Sequence, residues 1–214
     1  MNLPDKLALS PIKNISGTVD LPGSKSISNR ILLLSMLAEG QTEIHNLLDS
    51  DDTRRMVEAL KTLRVDVLEE RNQNKISVFG TSGTIPVTEA TLMLGNAGTV
   101  IRPLTAALTI GKGRFVLDGV QRMRERPIID LLKGLNQLGA EVNCINGTDS
   151  PPVEVIANGL PGGKTRLSGA ISSQYLSAIL MAAPYAKTEV QIEITDKLVS
   201  LPYVEMTLQL MLLF

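Results

Sequence analysis

The densest chemistry in this chain lies in Leu21-Pro22-Gly23-Ser24-Lys25-Ser26-Ile27-Ser28-Asn29-Arg30. The alternating segment before it, Ile15 to Leu21, reads as a strand, and the apolar run after it, Ile31 to Ala38, reads as a helix. Pro22 and Gly23 break the strand, and Ser26 or Ser28 suits the N-cap of the helix. A lysine, several hydroxyls and an arginine therefore gather at a helix N-terminus, where free N–H groups and the helix dipole favour an anion. That is the chemistry of a phosphate or carboxylate cradle. An ordinary strand–loop–helix junction with surface charges accounts for the same residue types. A P-loop does not, because Ser24 separates Gly23 from Lys25 and the expected first glycine is missing.

The elements that must position these groups recur. In the first copy the apolar helix runs to Gly40, then come a strand (Thr42 to Asn46), an acidic loop and a second helix to Leu63. Two strand-like pieces follow, Val65 to Leu68 and Lys75 to Phe79. The second copy starts at Gly95-Asn96-Ala97-Gly98-Thr99, with a helix from Val100 to Ile110 and a strand from Arg114 to Leu117. It continues with a helix from Pro127 to Leu138 and strands at Glu141 to Ile145 and Val153 to Ala157. The third starts at Ser172-Ser173-Gln174, with a helix to Ala183, a strand from Thr188 to Ile194 and a last helix from Pro202. Arg30 and Arg102 superpose at a period of about 72 residues, which points to stacked equivalent units of α/β type. Pro127 and Pro202 fit the first turn of their helices. Each first helix opens on small or hydroxyl residues, so approximate threefold symmetry would bring three anion-attracting N-termini to one end of the domain. Capping alone explains any one of these residues. The acidic loop, Asp49, Asp51 and Asp52, reads as caps for the helix after it.

Composition narrows the function. The chain has 214 residues, 43% of them apolar and 20% charged, with a net charge of -1. This suits an ordinary globular protein of one large or two small domains and gives no basic field for nucleic acid. Aromatics make up 3%, too few for base-stacking platforms. His45, in a predicted strand, reads as structural, and with the single cysteine, Cys144, it cannot build a metal cluster of the usual spacing. A lone cysteine suits a reducing cytosol. No run reaches the roughly 18 apolar residues of a membrane span, and Met1 to Ser10 lacks the apolar core of a signal peptide. The expectation is a cytoplasmic protein directed at small molecules, with no nucleic-acid or membrane partner and no metal.

Four segments, in order, resemble the 5-enolpyruvylshikimate-3-phosphate synthase family. They are Leu21 to Arg30, Leu94-Gly95-Asn96-Ala97-Gly98-Thr99 with Arg102-Pro103, Arg122-Met123-Arg124-Glu125-Arg126-Pro127-Ile128, and Gly169-Ala170-Ile171-Ser172-Ser173-Gln174-Tyr175. Asp196 to Tyr203 resembles a further contact segment, although Leu201 stands where the family commonly has lysine. The resemblance implies an inside-out α/β half-barrel of the enolpyruvyl transferase type, with three βαβαββ repeats, the third incomplete. The nearly all-apolar first helix independently favours helices packed inside.

The resemblance also implies transfer of an enolpyruvyl group from phosphoenolpyruvate to shikimate 3-phosphate, without a dissociable cofactor. Shikimate 3-phosphate would be held by Lys25, Ser26, Arg30, Ser172, Ser173, Gln174, Ser200 and Tyr203. Phosphoenolpyruvate would be held by Lys25, Asn96, Gly98 and Arg126, with Lys25 as the catalytic contact between the two. Guanidinium groups suit these anions through planar, bidentate donation. Residues 21–214 would form the shikimate-phosphate domain, truncated at its C-terminus. Residues 1–20 would supply strands to a second domain, in a complementary C-terminal half that carries the acid–base carboxylates. Two alternatives remain: the sister transferase acting on a UDP-amino sugar, or a fragment that binds its phosphorylated ligand without turning it over. Lys25-Ser26, rather than Lys-Asn, and the Ser-Ser-Gln loop argue against the sister transferase.

Overall fold

A computed structural model describes residues 6–70, 75–170 and 172–214. Three helices form its centre: α1 (Lys25–Leu37), α3 (Gly98–Leu108) and α5 (Ser173–Ala182). Each is apolar round most of its circumference, so it is stable only when surrounded. Leu32, Leu33, Met36 and Leu37 of α1, Val100, Ile101 and Leu104 of α3, and Ala178, Ile179 and Met181 of α5 are all fully buried. Between α1 and α3 the chain forms β1 (Gln41–His45), α2 (Asp51–Thr62), β2 (Val67–Glu70), β3 (Lys75–Phe79) and β4 (Glu89–Met93). Between α3 and α5 it forms β5 (Lys112–Asp118), α4 (Ile129–Gln137), β6 (Glu141–Cys144), β7 (Val153–Asn158) and β8 (Gly163–Leu167); β9 (Val190–Ile194) and α6 (Leu201–Met211) follow.

Three separate sheets flank the helices. The first has the order β1-β3-β2 and is antiparallel; the second has the order β4-β5-β7-β6; the third pairs β8 with β9 in parallel. In the second sheet, β4 lies parallel to β5, while β7 is antiparallel to both β5 and β6. This sheet is the template for the other two. Strands β1, β3 and β2 repeat β5, β7 and β6, and β8 with β9 repeats β4 with β5. Strands alternate in burial, as in β7, where Val153, Val155 and Ala157 face the core. Helices inside and sheets outside is the arrangement expected from the sequence, without a closed barrel.

Several local expectations are overturned. Residues 6–24 contain no strand: Ile15, Val19 and Leu21 lie exposed in irregular chain, so the alternation there has no neighbour to pair with. The strands expected over 1–20 are thus not formed in residues 6–20, and residues 1–5 lie outside the described ones. Helix α1 begins earlier than expected and is capped by Ser24, whose Oγ accepts from Ile27 N at 3.5 Å. Ser26 and Ser28 are inside it. Helix α2 is capped by Ser50 in a reciprocal box with Thr53, and Asp51 and Asp52 occupy its first turn, where they complement the dipole. Pro127 precedes α4, whose N-cap is Ile128, whereas Pro202 does lie in the first turn of α6. Strands β4 and β8 were not expected. His45, on β1, is exposed and 3.9 Å from Glu43.

One expectation about association follows from surface chemistry. Leu208, Leu212, Leu213 and Phe214 are exposed at the end of α6, and among the described residues β9 has β8 alone as a strand partner. Exposed apolar surface and an open strand edge each favour self-association. Light scattering on the isolated chain is expected to show mass rising with concentration. A monodisperse monomer at all concentrations would count against it.

Candidate functional site

Because α1, α3 and α5 are stacked as equivalent units, their N-termini open on one cavity of about 420 Å³. Lys25, Ser26 and Arg30 come from α1, Thr99 and Pro103 from α3, and Ser172, Ser173, Gln174 and Ser177 from α5 and its cap. Val199, Ser200 and Tyr203 complete the wall from the turn into α6. A larger cavity, about 620 Å³, lies between α2 and the first sheet. Its cations are matched by carboxylates: Arg54 by Asp49 at 2.6 Å, Lys61 by Glu69 at 2.5 Å and Lys75 by Glu70 at 2.7 Å. Charge therefore selects the smaller cavity as the anion site.

Arg30 is buried, yet its hydrogen bonds run to neutral oxygens. Nε donates to Thr207 Oγ1 at 2.7 Å, Nη1 to the Ser26 carbonyl at 2.9 Å and Nη2 to Ser177 Oγ at 3.4 Å. Burial pulls its pKa below the ordinary arginine value, partly offset by Tyr203, but a guanidinium stays charged in proteins. The cavity thus holds a desolvated cation whose charge these partners leave uncompensated. Lys25 stands half-exposed at the rim, 3.6 Å from Asp52 Oδ2. Asp52 also accepts from Thr99 Oγ1 at 2.7 Å, and Thr99 accepts from Asn29 Nδ2 at 2.8 Å, so one polar chain ties α1, α2 and α3 together behind the lysine. Ser172 caps α5 through Gln174 N at 3.2 Å. Ser200 is left-handed, with φ 56°, an uncommon conformation for a residue with a side chain. Such backbone strain clusters at ligand sites.

Asn96, Gly98 and Arg126 form a second group beside this cavity rather than in its wall. Arg126 Nη1 donates to the Asn96 carbonyl at 2.9 Å and to Asn96 Oδ1 at 3.2 Å, which leaves the rest of a half-buried guanidinium for solvent or ligand. The resemblance implies that phosphoenolpyruvate lies against Gly98. In the structure two guanidinium groups take up that space: a Cβ there would lie 2.5 Å from Arg126 Nη2 and 2.6 Å from Arg102 Nη1.

Asp118 holds the loop that carries Arg126. It accepts from Arg124 Nε at 3.0 Å and Nη2 at 2.5 Å, and from Gly119 N at 2.7 Å. The Arg124 hydrogen bond in particular depresses the Asp118 pKa below the ordinary carboxylate value. A depressed folded-state pKa adds stability that is present above the carboxylate range and lost as pH falls through it. Asp118→Asn is therefore expected to lower the melting temperature at neutral pH and to flatten its fall between about pH 5 and 3. Parallel melting curves for the two proteins across that range would refute this.

Of the residues singled out from sequence, the structure gathers Lys25, Ser26, Arg30, Ser172, Ser173, Gln174, Ser200 and Tyr203 around one cavity and sets Asn96, Gly98 and Arg126 next to it. Ile171 of the Ser-Ser-Gln segment lies outside the described residues. Sequence reasoning missed Asp52 as the partner of Lys25, and missed Ser177 and Thr207 as the partners of Arg30. The repeat makes Arg102 the equivalent of Arg30, but the sequence alone assigns it no role.

Residues 9–214 match the sequence model of EPSP synthase (3-phosphoshikimate 1-carboxyvinyltransferase). The chain is 60% identical to the chloroplastic 3-phosphoshikimate 1-carboxyvinyltransferase of Petunia hybrida over 97% of its own length and 42% of the relative's. It is 52% identical to the 3-phosphoshikimate 1-carboxyvinyltransferase of Shewanella pealeana over 98% of its own length and 50% of the relative's. Among solved structures, the EPSP synthase of Acinetobacter baumannii superposes with a TM-score of 0.77 at 26% identity, over 88% of this chain and 42% of that one. The chain thus spans half or less of the length of these relatives.

Proposed function

Since this chain belongs to the EPSP synthase family, we propose that it forms the shikimate 3-phosphate-holding part of an enzyme that transfers an enolpyruvyl group from phosphoenolpyruvate to shikimate 3-phosphate. The products are 5-enolpyruvylshikimate 3-phosphate and inorganic phosphate. Shikimate 3-phosphate occupies the 420 Å³ cavity, bound by Lys25, Ser26, Arg30, Ser172, Ser173, Gln174, Ser200 and Tyr203. Phosphoenolpyruvate lies against Asn96, Gly98 and Arg126, with Lys25 reaching both substrates from the rim. The observation that carries this reading is the buried, uncompensated Arg30 at the meeting of three helix N-termini. That arrangement is costly in an empty protein and favourable once an anion arrives.

In this reaction the substrate hydroxyl gives up its proton as its oxygen bonds to the enol carbon of phosphoenolpyruvate, and the methylene carbon takes a proton, giving a tetrahedral adduct that carries a methyl group. The bond to phosphate then breaks, phosphate leaving with its electron pair, as the methyl group loses a proton and the double bond is restored. Lys25 and Arg126 stabilise the charge of the enolpyruvate carboxylate and phosphate through this sequence. The proton transfers need positioned acid–base groups, and we assign those to a complementary C-terminal half. The proposal includes no dissociable cofactor and no metal. Among the described residues no helix is long and apolar enough to cross a membrane. A reducing compartment suits the single Cys144; we read it as the cytoplasm, while the plant relatives are chloroplastic by name.

Calorimetric titration tests the binding half of this reading: shikimate 3-phosphate is expected to bind the isolated chain, and shikimate without the phosphate far more weakly. Phosphate release from both substrates is expected to be negligible until the complementary half is added. No binding by the wild-type chain would overturn the reading, and robust turnover by the chain alone would overturn the assignment of the acid–base groups.

A further inference from the structure

Arg102 is the second buried guanidinium of the domain. It is 7% exposed and sits one turn inside α3. Nη1 donates to Gln174 Oε1 at 2.7 Å and to the Gly98 carbonyl at 3.5 Å, and Nη2 donates to the Pro127 carbonyl at 3.4 Å. Its guanidinium carbon lies 5.6 Å from the centroid of the Tyr175 ring, and the Tyr175 hydroxyl donates to the same Pro127 carbonyl at 2.8 Å. Nε is buried with no hydrogen-bond partner. Arg102 therefore touches α3, α5 and the loop that carries Arg126, and neutral acceptors alone receive its hydrogen bonds.

A guanidinium has donors and no acceptor, so whatever glutamine atom faces it must be the amide oxygen. This decides an orientation that electron density alone rarely settles for a glutamine. With Oε1 committed to Arg102, the amide nitrogen of Gln174 is what remains for the cavity that this residue lines. We infer that Arg102 is a positioning residue: it locks the Gln174 amide with its two N–H bonds turned to the ligand, which makes a neutral side chain a pure anion donor. This rests on the shikimate 3-phosphate reading of the cavity.

The cost of the arrangement supports a functional role. Burial lowers the Arg102 pKa, Tyr175 partly offsets that, and nearby Arg126 lowers it further. Packing alone would be served better here by a methionine, because a buried charge held by neutral acceptors is destabilising relative to an apolar side chain. Locking Gln174 gives the charge a use that packing does not.

The test is a double-mutant cycle on shikimate 3-phosphate binding, in wild type, Arg102→Met, Gln174→Met and the double variant. Arg102→Met is expected to weaken binding about 10-fold, the size of one good hydrogen bond. In the Gln174→Met background the same change should add less than about 2-fold. Arg102→Lys, which still donates to Oε1, should recover part of the loss, and it carries the cycle if the methionine variant does not fold. Effects that multiply in the double variant would overturn the inference. A second readout needs no ligand: the side-chain amide resonances of Gln174 should be displaced from free-glutamine positions in wild type and return to them when Arg102 is replaced. Unchanged resonances would overturn it as well. If wild-type protein failed to bind shikimate 3-phosphate, the proposed function would fall, while the resonances would still decide whether Arg102 holds the amide.

Discussion

Replacing Arg30 with methionine is expected to weaken shikimate 3-phosphate binding about 10- to 150-fold while moving the melting temperature by no more than about 3 °C. The first figure is the loss of one charge-assisted hydrogen bond to the ligand, about 1.5–3 kcal/mol. The second follows from opposing terms in the empty protein. Methionine gives up the bonds to Thr207, Ser177 and the Ser26 carbonyl, but it also removes a cation that burial disfavours. Exchanging a buried charge for an apolar side chain of similar length is often neutral or stabilising. A change of about 1 kcal/mol shifts melting by roughly 2–4 °C in a domain of this size. The split between binding and stability is what separates a ligand-binding arginine from a structural one. Loss of stability in step with affinity would assign Arg30 to the fold.

Gly98→Ala is expected to lower phosphoenolpyruvate affinity about 10-fold or more in protein already loaded with shikimate 3-phosphate, and to leave shikimate 3-phosphate affinity within about 3-fold. The new methyl group would overlap two guanidinium groups. Arg126 is half-buried and is held at its tip by Asn96 through two solvent-facing hydrogen bonds, so the tip can move aside. Arg102 is buried and bonded to Gln174, so it resists displacement. The burden therefore falls on Arg126, and with it on the proposed phosphoenolpyruvate subsite. Arg126→Lys should weaken phosphoenolpyruvate similarly, because a single ammonium cannot hold Asn96 and also present a planar fork. Equal losses for both substrates in Gly98→Ala would mean that Arg102 had moved instead.

The core of the fold was legible because the Ile31 to Leu37 part of α1 is apolar on nearly every face, and such a helix has nowhere to go but inside. The bounds of β3 match those read from the sequence, and those of β7 differ by a single residue at its end, since polar or turn-forming residues flank both. The period between Arg30 and Arg102 marked the repeat. What escaped depended on partners. Ile15 to Leu21 alternates like a strand, but alternation supplies a face and not a neighbour. Strands β4 and β8 have the opposite problem. Glu-Ala-Thr-Leu-Met and Gly-Lys-Thr-Arg-Leu carry weak strand propensity and are strands because β5 and β9 lie alongside them. The caps of α1 and α2 were misplaced for a similar reason: several oxygens stand in a row, and geometry chooses which one reaches the free N–H. The cavity residues came through because resemblance reported them directly, while Asp52, Ser177 and Thr207 matter through contacts between repeats that no local pattern encodes.

Those contacts also govern when the cavity comes into being. Arg30 meets Thr207 across 177 residues and Ser177 across 147, so the site is closed by some of the most distant pairings available in the chain. Long-range contacts bear the largest loop-closure entropy and tend to form late in folding. Two docked repeats would already bury much of the central helices yet offer the substrate no finished wall. Binding competence is then a late property of the folding chain. A ligand that recognises only the finished cavity stabilises interactions absent from the transition state, so it slows unfolding and leaves the folding rate nearly untouched. If the cavity takes shikimate 3-phosphate as proposed, that ligand acts on this domain as a kinetic lock rather than a template.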